Sequence, residues 1–143
     1  MTAPTTTPLL QRQLLFVTGK GGTGKSTVAA ALAELAAARG LRTLVCEMDA
    51  KGALANAFEV GELGFAPREL RPGLFAMVMN TEDSLREYLR LFVRIPLIGR
   101  LGPLAHTFDF VADAAPGVKE ILAVGKLCYE VRERHYDLVV VDA

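Results

Sequence analysis

The sequence predicts an α/β fold in which helices flank a mainly parallel sheet, with a small apolar helical insertion. Three observations predict it. Four short apolar runs, at 14–18, 43–47, 74–79 and 136–141, alternate with longer helix-forming stretches, the pattern of strand–helix–strand units. A glycine-rich loop, Gly19-Lys20-Gly21-Gly22-Thr23-Gly24-Lys25-Ser26-Thr27, separates the first run from the first helix. The last run, Leu138-Val139-Val140-Val141, ends on Asp142.

The elements follow in order. Residues 1–13 are rich in Thr and Pro, lack the basic start and apolar core of a signal peptide, and are expected to form a flexible tail. Leu14, Leu15, Phe16, Val17 and Thr18 read as a buried parallel strand. Residues 26–39 are rich in Ala and Leu and read as a helix that stops at Gly40, which suits the left-handed position after a helix end. Residues 43–47 are a second strand, 53–58 a short helix, 61–73 a loop containing Pro67 and Pro72, and 74–79 a third strand. Ser84-Leu85-Arg86-Glu87 has the spacing of a capping box, opening a helix that runs to about residue 95, ahead of Pro96.

Between 85 and 111, apolar residues such as Leu89, Phe92, Ile95 and Leu101 alternate with Arg86, Arg90, Arg94 and Arg100. Pro96, Gly99, Gly102 and Pro103 break the stretch into short pieces. This is the expected helical insertion, 84–115, inside a domain spanning 14–143. A groove for a partner and packing on the domain's own core are both open readings of it. A helix over 118–134 and a strand over 136–141 complete the pattern.

The loop carries the chemistry. It has the form G-x-x-x-x-G-K-[ST], preceded by a strand and followed by a helix, the context in which this motif binds phosphates. Gly19, Gly21, Gly22 and Gly24 let the backbone curl so that successive N–H groups, those of Thr23, Lys25, Ser26 and Thr27 among them, face an anion at the positive end of the helix dipole. Lys25 is expected to reach the β- and γ-phosphates of a nucleoside triphosphate, and Ser26 to coordinate Mg²⁺. Asp142, at the carboxyl end of a buried strand, is placed to reach the same Mg²⁺ shell. The expected class is therefore a P-loop NTPase that binds a nucleoside triphosphate with Mg²⁺.

Composition excludes other classes. Sixteen basic and 16 acidic residues balance to a formal net charge of +0, so no global basic face for nucleic acid is indicated. The two cysteines, Cys46 and Cys128, are far apart without a C-x-x-C pair, which argues against a zinc site or disulfide framework; both are expected as buried small apolar residues. His106 and His135 lack a second ligand at metal spacing and are expected to be structural. No apolar run approaches membrane-spanning length, and a cytoplasmic protein is expected.

Gly-Lys-Gly-Gly-Thr-Gly-Lys-Ser-Thr resembles the deviant Walker A loop shared by nitrogenase iron protein, the septum-site and partition ATPases, and the arsenite-pump and tail-anchored-protein-targeting ATPases. Over 16–27, 43–58, 115–127 and 136–143 the chain is most similar to the arsenite-pump and tail-anchor-targeting branch. The resemblance implies that Lys20 is the signature lysine, which crosses a dimer interface to the partner's nucleotide. It implies that Asp49 is the switch I aspartate that orients the attacking water; capping of the helix from Ala53 is the plainer alternative for that residue. Asp142 would be the Walker B aspartate. The 84–115 insertion falls where the family has a helical subdomain with an apolar groove for client helices.

The sequence departs from the family at one place. Where the family has Asp-Pro-Ala-His-x-Leu-Ser-Asp-Ala-Phe, this chain has Asp49-Ala50-Lys51-Gly52-Ala53-Leu54-Ala55-Asn56-Ala57-Phe58. The matched pattern also breaks off at Ala143, ahead of switch II, so a further C-terminal stretch of the domain is expected. The resemblance implies a Mg²⁺-dependent ATP hydrolase with catalytic Lys20, Lys25 and Asp49. It would work as a homodimer or paralogue heterodimer on a protein client or membrane-protein partner, with no nucleic acid. Two alternatives remain at this point: a partition- or septum-positioning ATPase, and a non-hydrolysing nucleotide-binding partner subunit.

Overall fold

The structure, a computed structural model, describes residues 8–88 and 117–143. A 3₁₀ turn at Leu9–Gln11 precedes β1 (Leu14–Val17), α1 (Lys25–Ala38), β2 (Thr43–Glu47), α2 (Ala53–Ala57), β3 (Arg68–Arg71), β4 (Leu74–Val78), α3 (Thr81–Tyr88), α4 (Val118–Arg132) and β5 (Leu138–Asp142). The five strands form one sheet in the order β1-β5-β2-β4-β3, parallel except for the antiparallel pair β3–β4. The predicted α/β class and mainly parallel sheet are therefore present. The predicted insertion lies outside the described residues except for its first five positions.

Alternation along the strands builds two apolar layers. Val45, Leu74, Ala76, Leu138 and Val140 face α1 and α2. Leu44, Cys46, Met77, Val139 and Val141 face the other side with Ala123 and Leu127 of α4. Ala29, Ala33 and Ala36 of α1 are fully buried, and their small side chains let the helix backbone lie close to the sheet. The helix ends as its sequence predicts: Gly40 sits at φ 85°, with Gly40 N–H donating to Ala37 O and Leu41 N–H to Ala36 O.

Register is what aligns the site. At the base of the sheet, Asp137 Oδ2 accepts from Arg42 N–H (2.8 Å), and Asp137 N–H donates to Arg42 O (2.7 Å). The Arg42 guanidinium also lies over the Phe75 ring, 4.4 Å from its centroid. These contacts lock Thr43 against Leu138, so four residues later Glu47 stands beside Asp142 at the carboxyl ends of β2 and β5.

Several elements differ from expectation. Part of the predicted 61–73 loop is the edge strand β3. Its residues are mostly exposed and polar, so it carries no apolar alternation, and its pairing is set by the turn at Pro72–Gly73, where Gly73 has φ 78° and Glu69 Oε1 accepts from Gly73 N–H. β1 is not fully buried: it pairs only with β5 among the described residues, and Phe16 is 47% exposed. The predicted tail is held from residue 8 onward, with Leu10 packed on the core and Gln13 O accepting from Val139 N–H. Ser84 does not cap a helix. α3 starts three residues earlier with Asn80 Oδ1 accepting from Asp83 N–H, and Ser84 Oγ donates back to Asn80 O within the helix.

α3 and α4 are joined by buried charge. Lys126 Nζ donates to Glu87 (2.9 Å) and Glu130 (2.5 Å), and His135 Nδ1 lies 2.7 Å from the second Glu130 oxygen. Burial works to lower the Lys126 pKa, but the two carboxylates outweigh it and hold the ammonium above its ordinary value. His135 thus has the structural role expected of it, whereas His106 lies outside the described residues.

Cys46 is buried and Cys128 is exposed, so the expectation of two buried cysteines holds for one. Burial pushes the Cys46 thiol up to about 12, against a smaller opposing pull from Lys126. Alkylation of the folded protein near about pH 8 is expected to modify Cys128 and spare Cys46, because the thiolate is the reactive species. Mass spectrometry should count a single adduct; two adducts without prior unfolding would contradict this. Among the described residues, no helix is long and apolar enough to cross a membrane.

Candidate active site

The glycine-rich loop closes over the carboxyl end of the sheet, and its shape follows from its residues. Gly22 and Gly24 take φ 77° and 87°, backbone that L side chains rarely adopt. A Cβ at Gly19 would lie 3.2 Å from Thr23 Oγ1, a tighter approach than ordinary contact. The loop braces itself: Thr23 Oγ1 donates to Lys20 O (2.7 Å), and Lys25 Nζ donates to Gly19 O (3.0 Å). α1 begins at Lys25 with Gly24 as its N-cap and no side-chain cap. Among the described hydrogen bonds, no backbone N–H from residues 21 to 27 has a protein acceptor. Those donors point to an anion as their partner.

The loop forms one wall of a cleft of about 320 Å³ lined by Gly21, Gly22, Gly24, Lys25, Ser26, Thr27, Asp49 and Asp142, together with Glu47, Lys51, Ala53 and Ala143. Eight of the residues expected from the sequence therefore meet in one place. Gly19, Lys20 and Thr23 belong to the loop but do not line this cleft. Lys20 is exposed. The oxygen donors of Ser26 and Asp142 suit a hard divalent cation. Among the described residues, no group of three or more His, Cys, Asp or Glu could hold a metal by itself. A Mg²⁺ ion at Ser26 and Asp142 would thus take its other ligands from phosphate oxygens and water, as this ion commonly does.

Opposite the loop lies the segment from Asp49 to Leu54, and Glu47 holds it. The Glu47 side chain is buried at the end of β2; its Oε1 accepts from Lys51 N–H (2.6 Å) and Ala53 N–H (3.2 Å), and its Oε2 from Leu54 N–H (3.0 Å). A carboxylate at the first turn of α2 satisfies donors the helix cannot, so Glu47 does the work considered for Asp49. Asp49 instead pairs with Lys51 Nζ at 2.9 Å, both side chains being largely exposed. The hydrogen bond from Lys51, then its charge, hold the Asp49 carboxyl below the usual carboxylate value, with a smaller pull from Lys25.

The departure from the family's Asp-Pro-Ala-His has a backbone counterpart. Ala50 sits at φ 49° and Gly52 at φ 75°. Proline is locked near φ ≈ −65°, so the family's residue could not occupy position 50 in this conformation. Glu47 was not singled out from the sequence. The signal was there: an acidic residue closes the otherwise apolar run Thr43-Leu44-Val45-Cys46, and a carboxylate on a buried strand must find donors.

Comparison with known proteins agrees with this geometry. Residues 12–143 match the family model described as anion-transporting ATPase. ATPase BagA of Mycobacterium tuberculosis is 36% identical over 142 residues, covering 92% of this chain and 42% of that protein. A putative arsenical pump-driving ATPase of Chlorobaculum tepidum is 29% identical over 138 residues, 91% of this chain and 32% of that protein. ATPase ASNA1 homolog 1 of Paramecium tetraurelia is 29% identical over 148 residues, 97% of this chain and 43% of that protein. The chain spans less than half the length of these relatives.

Proposed function

The chain belongs to the anion-transporting ATPase family, and from that premise we propose that its cleft binds Mg²⁺-ATP and transfers the γ-phosphoryl group to water. The observation that carries the reading is the single cleft that gathers Gly21, Gly22, Gly24, Lys25, Ser26 and Thr27 of the loop with Asp49 and Asp142. The reaction forms a bond from the water oxygen to the γ-phosphorus and breaks the bond to the bridging oxygen, leaving ADP and inorganic phosphate; the water's surplus proton goes to solvent. Backbone N–H groups of the loop hold the triphosphate, and Lys25 sets its charge on the β- and γ-phosphates. Ser26 and Asp142 hold Mg²⁺, which when bound neutralises phosphate charge. Asp49 positions the attacking water.

Lys20 is exposed and does not line the cleft. That placement suits a lysine whose target is the nucleotide of a second subunit, either a second copy or a paralogue. In this reading nucleotide closes a cytoplasmic dimer, and the closed and open forms act differently on a protein client or a membrane-protein partner. Lys20→Ala is expected to lower turnover by about 10³-fold, the scale on which a charge supplied in trans to phosphoryl transfer acts, while ATP affinity changes little. Undiminished turnover in that variant would sink the role of Lys20.

The pairing of Asp49 with Lys51 favours one alternative, a nucleotide-binding subunit that does not hydrolyse. Steady-state phosphate release separates the two. Release that depends on Lys25 supports the hydrolase, and ATP binding without release supports the alternative.

A further inference from the structure

Lys51 is a cation in the cleft for which the proposed reaction has no use. It lines the cleft beside Lys25, and its only side-chain partner among the described residues is Asp49 Oδ2, at 2.9 Å. Its backbone is fixed, since its N–H donates to the buried Glu47 Oε1 at 2.6 Å, while its side chain is 76% exposed. A fixed backbone that carries an exposed ammonium on the lining of the cleft places that charge within it, where an anionic ligand would meet it.

Resting on the reading of this cleft as a triphosphate site, we propose that Lys51 is a γ-phosphate contact held in reserve by Asp49. Without nucleotide, the ammonium sits on the Asp49 carboxylate. When a triphosphate occupies the loop, the ammonium passes to the γ-phosphate and Asp49 is released to orient water. The direction of exchange follows from charge. A γ-phosphate carries more negative charge than a carboxylate and has three acceptor oxygens, and lysine binds phosphate as a compact point charge. The pair it leaves is largely solvated, and such pairs contribute little, so exchange costs little. A diphosphate has no group at the γ position, so with ADP the Lys51–Asp49 pair stays closed. The cleft would then distinguish triphosphate from diphosphate through residues within the segment that departs from the family pattern.

The test is nucleotide affinity in the purified natural chain, measured by titration calorimetry with ADP and with a non-hydrolysable ATP analogue, each with Mg²⁺. Lys51→Ala is expected to weaken analogue binding by about tenfold or more, the scale of one charge-assisted hydrogen bond, with ADP affinity unchanged within about twofold. Lys51→Arg is expected to restore most of the loss, since it keeps the charge. Asp49→Asn, which frees Lys51, should leave analogue affinity equal or tighter while turnover falls. Equal weakening of both nucleotides by Lys51→Ala, or no change in either, would overturn the role of Lys51 and leave the triphosphate site standing. Failure of the unsubstituted protein to bind either nucleotide would overturn the site, and the proposal with it.

Discussion

Glu47→Ala should destabilise the protein by about 2–4 kcal/mol and loosen the segment from Asp49 to Leu54 in advance of global unfolding. Three backbone N–H groups end on this one buried carboxylate. A hydrogen bond to a charged group is worth about 1.5–3 kcal/mol net, and a buried donor left without a partner costs about 1–3 kcal/mol. The sum is not the full threefold value. Water can replace the acceptor for the exposed Lys51, but not readily for Leu54, which is fully buried. Losing the like charge beside Asp142, its register partner, offsets part of the cost. α2 has five residues and cannot persist as an isolated helix, so its position depends on Leu54 and Phe58 in the core and on this cap. Ala50 also sits at positive φ, a strain that persists only while its surroundings hold it. Hydrogen exchange should therefore rise first at residues 51–54, and denaturant titration should show the global loss. Glu47→Gln keeps one acceptor oxygen but turns an amide donor toward other donors, and should fall between. Stability within about 0.5 kcal/mol of the parent for Glu47→Ala would refute the clamp, since that is the range of a neutral surface change.

How much of this was legible in the sequence depends on whether a residue's role is local. The loop was legible because its glycines and its Lys25-Ser26 pair act within nine residues, and the flanking strand and helix are strong local signals. β2 and β5 were legible because strands buried on both faces read as continuous apolar runs, and β4, with three of five positions buried, reads nearly so. β3 was hidden, since an exposed polar edge strand such as Arg68-Glu69-Leu70-Arg71 is defined by its partner β4 and not by its own pattern. The start of α3 was misplaced because Ser84 and Asn80 are both competent caps, and the earlier one also satisfies Asp83. At the site, the meeting of Asp49 with the loop was legible through the family pattern. The Glu47 clamp and the Lys51–Asp49 pair were not, because they depend on how residues 50 and 52 turn the chain. An α-left backbone at a non-glycine residue is a consequence of tertiary contacts that no local preference announces.

Lys25→Ala should abolish the stabilisation that ATP gives the protein while leaving the nucleotide-free fold close to intact. Among the described residues the side chain makes one hydrogen bond, 3.0 Å to Gly19 O on a loop exposed to water. Losing it costs at most about 1 kcal/mol, because water can satisfy the carbonyl. With nucleotide the balance is different. In the proposed reading Lys25 is the loop's charge on the β- and γ-phosphates, and without it the N–H cradle would have to hold a highly charged group with backbone dipoles alone. A ligand that binds only the folded state stabilises it by about 2.7 kcal/mol at a concentration 100 times its Kd. If the substitution weakens binding by about 10³-fold, an ATP concentration that stabilises the parent by this amount should stabilise the variant by less than about 0.1 kcal/mol. The thermal midpoint with and without Mg²⁺-ATP is the measurement, at one fixed nucleotide concentration for both proteins. A variant whose midpoint rises with ATP as much as the parent's would show that the triphosphate is not bound at this loop. A variant already far less stable without nucleotide would instead show that Lys25 is chiefly a brace for Gly19. The expected pattern, equal midpoints without ATP and divergence with it, is one that a structural role for Lys25 does not produce.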